Sequence, residues 1–207
     1  IGKNTAPCIA LSAFQIEKYY EDAAIAVLPS DHLIRNEDEF RNVIEAADRF
    51  IEENEDSIVT LGMKPDRPET GYGYIKCDKT CSIVSGLKIK EVEMFVEKPN
   101  LEKAEKYLED GNFLWNGGMF VWKAKNILRL TEKYLKNTYD ILKEITCSLE
   151  EKYEEKLKSN YNLVDSVSID YAIMEKAKDI YVIPSEFGWD DVGTWYSVER
   201  YRDKDEN

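Results

Sequence analysis

Several common features are missing from this chain, and each absence narrows what it can do. Its 207 residues contain one histidine, His32, so any Ser/His/Asp or Cys/His machinery would have to run through that side chain, and no nucleophile elbow accompanies it. The four cysteines (Cys8, Cys77, Cys81, Cys147) form no CxxC pair and have no second histidine to join them. They read as reduced thiols rather than zinc ligands. No run of 18 apolar residues occurs, no basic-then-apolar leader is present, and the first residue is Ile1 rather than Met. A cytoplasmic protein without a membrane partner is the plain expectation. Positive charge is scarce: 28 Lys and Arg face 41 Asp and Glu, a net charge of -13. Duplex DNA and anionic membranes both call for clustered cations, so nucleic acid is not the expected partner. A glycine-rich phosphate loop is also absent from the sequence.

What is present is the composition of a globular protein, 43% hydrophobic and 12% aromatic, with length enough for one sizeable core. Asn4-Thr5 followed by Pro7 predicts a first helix with Ile9, Leu11, Phe14 and Ile16 on its apolar face. Ala23 to Leu28 is a continuous apolar run closed by Pro29, the pattern of a strand covered on both faces. Asn36 and Glu39 form a capping box before a helical repeat of apolar residues, and Ser57 to Met63 predicts another buried strand. Short strands are predicted at Tyr74 to Cys77, Ser82 to Leu87 and Val92 to Val96. A helix capped by Asn100 and stopped by Gly111 then precedes a buried strand from Phe113 to Trp122. Three helical patterns fill 125–178, and Ile180 to Ile183 is a further strand. Helix and strand alternate, so the fold class is α/β, a Rossmann-like, mixed but mostly parallel sheet flanked by helices. No repeat or low-complexity linker interrupts residues 1–207, which read as a single domain.

Two acidic motifs stand far apart, Pro29-Ser30-Asp31-His32 and Gly188-Trp189-Asp190-Asp191-Val192-Gly193, each beyond a predicted strand. Asp31 after a proline is equally a turn former. Asp190-Asp191 would repel unless solvated or bound to a cation. Together they suggest a divided site for a hard cation such as Mg²⁺, which is held by one or two carboxylates plus substrate phosphates. Phe95-Val96-Glu97-Lys98-Pro99 is either a surface ion pair or an acid for sugar hydroxyls beside a cation for a phosphate. The glycines of Trp115-Asn116-Gly117-Gly118 and of Gly71-Tyr72-Gly73-Tyr74 mark a bulge, a hairpin or the close approach of a ligand.

In order, Asn4-Thr5-Ala6-Pro7, Pro29-Ser30-Asp31-His32, Glu69-Thr70-Gly71-Tyr72-Gly73-Tyr74-Ile75, Phe95-Val96-Glu97-Lys98-Pro99, Trp115-Asn116-Gly117-Gly118-Met119-Phe120, Ser168-Ile169-Asp170-Tyr171 and Trp189-Asp190-Asp191-Val192-Gly193-Thr194-Trp195 resemble the motifs of mannose-1-phosphate guanylyltransferases. The likeness runs over essentially the whole chain. It implies a nucleotide-diphospho-sugar transferase fold and synthesis of GDP-mannose and pyrophosphate from GTP and mannose 1-phosphate with Mg²⁺; a homodimer is compatible with it. Under that resemblance Asp31, Lys98 and Asp191 are catalytic, with Asp31 and Asp191 the metal carboxylates. Asn4 and Pro7 lie toward the nucleotide base, Gly73, Glu97, Asn116 and Gly117 face the sugar, and Lys98 faces its phosphate. Asp170 falls in a family motif without an assigned role.

The chain also departs from the pattern. Lys3 stands where arginine is common, and Gly117 where serine is common. The family's Gly-rich, Arg-containing nucleotide loop and first strand would fall upstream of Ile1, so the expectation is a truncated domain with weak or absent turnover. Like unit charges about 4 Å apart repel by roughly 4 kcal/mol at an effective dielectric near 20. The cations near the motifs are only Lys98, Lys3 and Arg35. A sister nucleotidyltransferase with another base or sugar, and a non-catalytic sugar-nucleotide-binding module, are the alternative readings.

Overall fold

The computed structural model describes residues 1–199. Helix α1 (Thr5–Glu17) leads to strands β1 (Ala24–Val27) and β2 (Leu33–Ile34), then to α2 (Glu37–Glu53) and β3 (Ile58–Met63). Strands β4 (Tyr74–Val84) and β5 (Leu87–Val96), helix α3 (Leu101–Asp110) and strand β6 (Phe113–Lys123) follow. Helices α4 (Ala124–Tyr134), α5 (Lys136–Thr146) and α6 (Glu150–Asn160) precede a π-helical turn at Asp170–Met174. Strands β7 (Ile180–Ser185) and β8 (Trp189–Asp190) and helix α7 (Trp195–Glu199) complete the described chain.

Side-chain chemistry at the ends sets the helix boundaries. The Asn36 carboxamide oxygen accepts from the Glu39 amide at 3.1 Å, and that of Asn100 from the Lys103 amide at 3.0 Å. Each satisfies an amide that the first helical turn leaves without a partner. Gly111 ends α3 in the left-handed region, φ 75°.

One sheet has the strand order β1-β6-β3-β7-β5-β4, with β4 also paired to β6, and a second sheet is a β2–β8 ribbon. The α/β class is as the sequence predicts, but the pairing is not mostly parallel. Among the described residues only β3 and β7 pair in parallel, and every other ladder is antiparallel. The reason is β6, which runs against its neighbours, and the β4–β5 hairpin.

That hairpin turns at Ser85 and Gly86, with φ of 52° and 83°. Two consecutive residues at positive φ match the right-handed twist of the flanking strands. The three short strands expected between Tyr74 and Val96 are therefore two long ones, irregular in register. Strand β1 also differs from expectation, because its residues alternate between exposed and half-buried. Among the described residues it pairs only with β6, so its apolar run covers one face of an edge strand.

The core lies on both faces of the sheet. Along β6, Phe120 and Trp122 pack with α1 and α4, while Met119 and Val121 pack with α2. Alternate residues of a strand point to opposite faces, so one strand serves two helical layers. Strand β3 is buried at all six of its residues.

Candidate active site

A cleft of about 370 Å³ opens where β1 ends, where β5 ends, and where β6 passes its glycines. Its size suits a small polar ligand. The residues that line it include Gly73, Glu97, Lys98, Asn116, Gly117, Asp170 and Asp191. Five distant motifs therefore meet on one surface. Asp31 is exposed at the mouth beside the lining residues Pro29 and His32. Asn4 and Pro7 are not brought to the wall: Asn4 caps α1, and Pro7 is buried in its first turn. Thr5 and Ile9 of the same helix reach the cleft instead.

The two acidic motifs converge because β2 pairs with β8, with Leu33 opposite Asp190 and Ile34 opposite Trp189. Phe187 reinforces the join, its carbonyl accepting from the Arg35 and Asn36 amides at 3.2 and 3.0 Å. Trp189 Nε1 donates to His32 Nδ1 at 2.9 Å. Burial lowers the His32 pKa, while Asp31, Asp191 and Asp190 all act to raise it. The carboxylates of both motifs thus share one electrostatic neighbourhood.

Inside the cleft, the Glu97 side chain is 11% exposed, and its Oε2 has no hydrogen-bonding partner among the described residues. Burial, reinforced by the Asp170 charge, pushes its pKa up to about 7, and Lys98 opposes the shift. Lys98 Nζ lies 3.7 Å from Glu97 Oε1 while remaining 59% exposed. It can therefore meet a second anion. Asp170 is raised above the ordinary carboxylate range by burial, partly offset by hydrogen bonds that include one from Asn116. That bond, from Asn116 Nδ2 to Asp170 Oδ1, measures 3.0 Å, and Asn116 Oδ1 accepts from the Gly118 amide at 3.0 Å. Asn116 is thus a bracket for Asp170 as well as a wall residue.

The glycines have different reasons. A Cβ on Gly73 would overlap Glu97 Oε2, so this glycine makes room for the acid. At Gly117 a Cβ would lie 2.8 Å from the Met63 methyl and 3.1 Å from the Leu61 carbonyl. Its smallness serves the packing of β3 on β6. Gly118 needs glycine for its φ of 65°.

Backbone strain collects around the cleft. Besides Ser85 in the hairpin, the non-glycine residues at positive φ among the described residues are Asn4, Lys98 and Val192. A β-branched residue rarely adopts this conformation, and such outliers cluster at functional sites. At Val192 the turn is held by side chains: Asp190 Oδ1 accepts from the Val192 amide at 2.8 Å, and Asp191 Oδ1 from the Gly193 amide at 3.2 Å.

Tyr72, which lines the cleft, and Arg67, which bonds the Tyr72 hydroxyl, are not among those that motif chemistry singles out. The Tyr72 hydroxyl donates to Asp191 Oδ1 at 2.6 Å, and burial together with that bond raises the tyrosine pKa. The Gly-Tyr-Gly-Tyr motif holds the available signal, but its glycines are the more conspicuous feature.

All 207 residues match the family model described as nucleotidyl transferase. The chain belongs to the nucleotidyl transferase family. It is 37% identical to "Mannose-1-phosphate guanylyltransferase" of Salmonella montevideo, an alignment covering 100% of this chain and 44% of that protein. It is also 37% identical to the protein of the same description from Escherichia coli K12, over 95% of this chain and 42% of the relative. The chain therefore spans under half the length of these curated relatives. A solved structure from Thermus thermophilus, described as a mannose-1-phosphate geranyltransferase, superposes with a TM-score of 0.85 at 31% identity. The match covers 99% of this chain and 57% of that one. The nucleotidyl transferase assignment and the α/β fold thus agree with the motif order along the chain.

Proposed function

We propose that the protein carrying this chain transfers the guanylyl group of GTP to mannose 1-phosphate, forming GDP-mannose and pyrophosphate. The observation that carries this reading is the cleft. It combines a buried acid with an unpartnered oxygen, an exposed cation beside it, and the meeting of two acidic motifs through β2 and β8. The similarity to relatives described as mannose-1-phosphate guanylyltransferases supports it.

Glu97 Oε2 is suited to a sugar hydroxyl, because a buried oxygen without a partner gains a bond it lacks. Lys98 neutralises the sugar phosphate, and Asn116 with Gly117 and Gly73 shapes the wall against the ring. Thr5 and Ile9 take the place expected of Asn4 and Pro7 on the α1 side of the cleft.

Asp31 and Asp191 fit a hard divalent cation of the Mg²⁺ type. No cluster of three His, Cys, Asp or Glu is found among the described residues. Two carboxylates with substrate phosphates and water completing an octahedron is the usual Mg²⁺ arrangement. When bound, the ion offsets the charge of the two phosphate groups.

An oxygen of the sugar phosphate attacks the α-phosphorus of GTP in line. One P–O bond forms while the bond to the β-phosphate oxygen breaks, and the electron pair leaves with pyrophosphate. The nucleophile is already an anion, so positioning and charge stabilisation are the protein's task.

The test is pyrophosphate release by the full-length protein from GTP plus mannose 1-phosphate, set beside UTP plus glucose 1-phosphate. Faster release from the second pair refutes the substrate assignment. No release from any pair, with GDP-mannose still raising the melting temperature, identifies a binding module instead.

A further inference from the structure

We infer that Tyr72, itself held by Arg67, is the positioning residue for Asp191, and that its hydroxyl decides which carboxylate oxygen is offered to a divalent cation. This deepens the proposed function and rests on its reading of Asp191 as a cation ligand.

The Tyr72 hydroxyl and the Gly193 amide both donate to Asp191 Oδ1, at 2.6 and 3.2 Å. Oδ2 receives no hydrogen bond among the described residues, and Asp191 lines the cleft. A carboxylate with one oxygen saturated from two sides presents the other, with its rotation arrested.

The direction of the Tyr72 proton is also determined. Arg67 Nη2 donates to the Tyr72 hydroxyl oxygen at 3.4 Å. A phenol has a single proton, so an oxygen that accepts from a guanidinium gives that proton to Asp191. Arg67 is anchored in turn by Asp66 Oδ1 at 2.8 Å and Glu69 Oε2 at 3.3 Å, and its guanidinium lies 4.8 Å from the Trp115 ring centroid. The Tyr72 ring is fixed edge-on against Trp115 and Trp189, with centroids 5.2 and 5.3 Å away.

Partners of this kind, one bond removed from a metal, set ligand orientation, and removing one commonly lowers metal affinity by about 10- to 100-fold. The experiment titrates Mn²⁺ against the melting temperature of the full-length protein, comparing wild type with Tyr72→Phe, Arg67→Gln and Asp191→Asn. The expected result is an apparent Mn²⁺ affinity about 10-fold weaker in Tyr72→Phe, a smaller loss of the same sign in Arg67→Gln, and the largest loss in Asp191→Asn. Wild-type Mn²⁺ affinity in Tyr72→Phe, with Asp191→Asn impaired, overturns the positioning role while leaving Asp191 as the ligand. If Tyr72→Phe does not fold, unchanged Mn²⁺ affinity in Arg67→Gln overturns it equally. Wild-type affinity in Asp191→Asn, or a wild-type protein insensitive to Mn²⁺, overturns the cation assignment and this inference with it.

Discussion

Strand β6 carries a charged site near each end, and the two are built in opposite ways. At its far end Lys123 is 3% exposed and bonds Asp22 at 3.1 Å as well as Glu52, both carboxylates being half in water. Toward its start, Asn116 borders Glu97 and Asp170, two partly buried acids whose pKa values are raised, served by a lysine that stays in solvent. One cation with two acids around it is a closed structural cluster. Two acids with one loosely held cation have bonding capacity left over. Unsatisfied polarity, rather than charge itself, separates these two ends of β6.

The largest effect that would sharpen this contrast is on Asp191. Replacing it by Asn should lower pyrophosphate release by about 10²- to 10³-fold, as loss of a preorganised electrostatic group does, with the circular dichroism spectrum unchanged. Activity within tenfold of wild type would break the comparison.

Glu97→Gln should act on stability in a pH-dependent way. The folded-state pKa is raised to about 7, so the acid's favourable contribution is complete below its unfolded pKa and is lost as pH rises through 7. The neutral amide avoids that loss. The variant should therefore gain up to about 3 kcal/mol over wild type at pH 8, fading toward pH 4, in denaturant titrations at the two pH values.

Lys123→Met should cost about 2 kcal/mol by the same measurement while sparing turnover per folded molecule, because its acidic partners can be solvated once it is gone. Smallest is Gly118→Ala. The Cβ meets only Pro29, at 3.8 Å, so the cost is that of a left-handed backbone alone, about 1 kcal/mol.

Much of the architecture was legible because it follows from periodicity and caps. The Asn36 and Asn100 caps, the buried run of β3 and the glycine stop at Gly111 all behave as their residue types dictate. Strand directions were not legible, since apolar runs do not reveal which neighbour a strand will take. The expected burial of Ala23 to Leu28 failed for the same reason.

For the cleft, Gly73, Glu97, Lys98, Asn116 and Asp191 were found from motif chemistry. Asn4 and Pro7 do not line the cleft, because a motif identifies a segment, not which turn of its helix faces inward. Tyr72 was missed because a hydrogen bond spanning 119 residues has no local signature, and Arg67 reaches Asp191 only through Tyr72.

The β2–β8 ribbon has a practical consequence. It is two residues wide on each side, so its few amides should exchange with deuterium far sooner than those of β3. A ligand that bridges both acidic motifs would clamp that ribbon. The Leu33 and Asp190 region would then act as a built-in occupancy gauge, readable by deuterium uptake in a mass spectrometer without any attached probe.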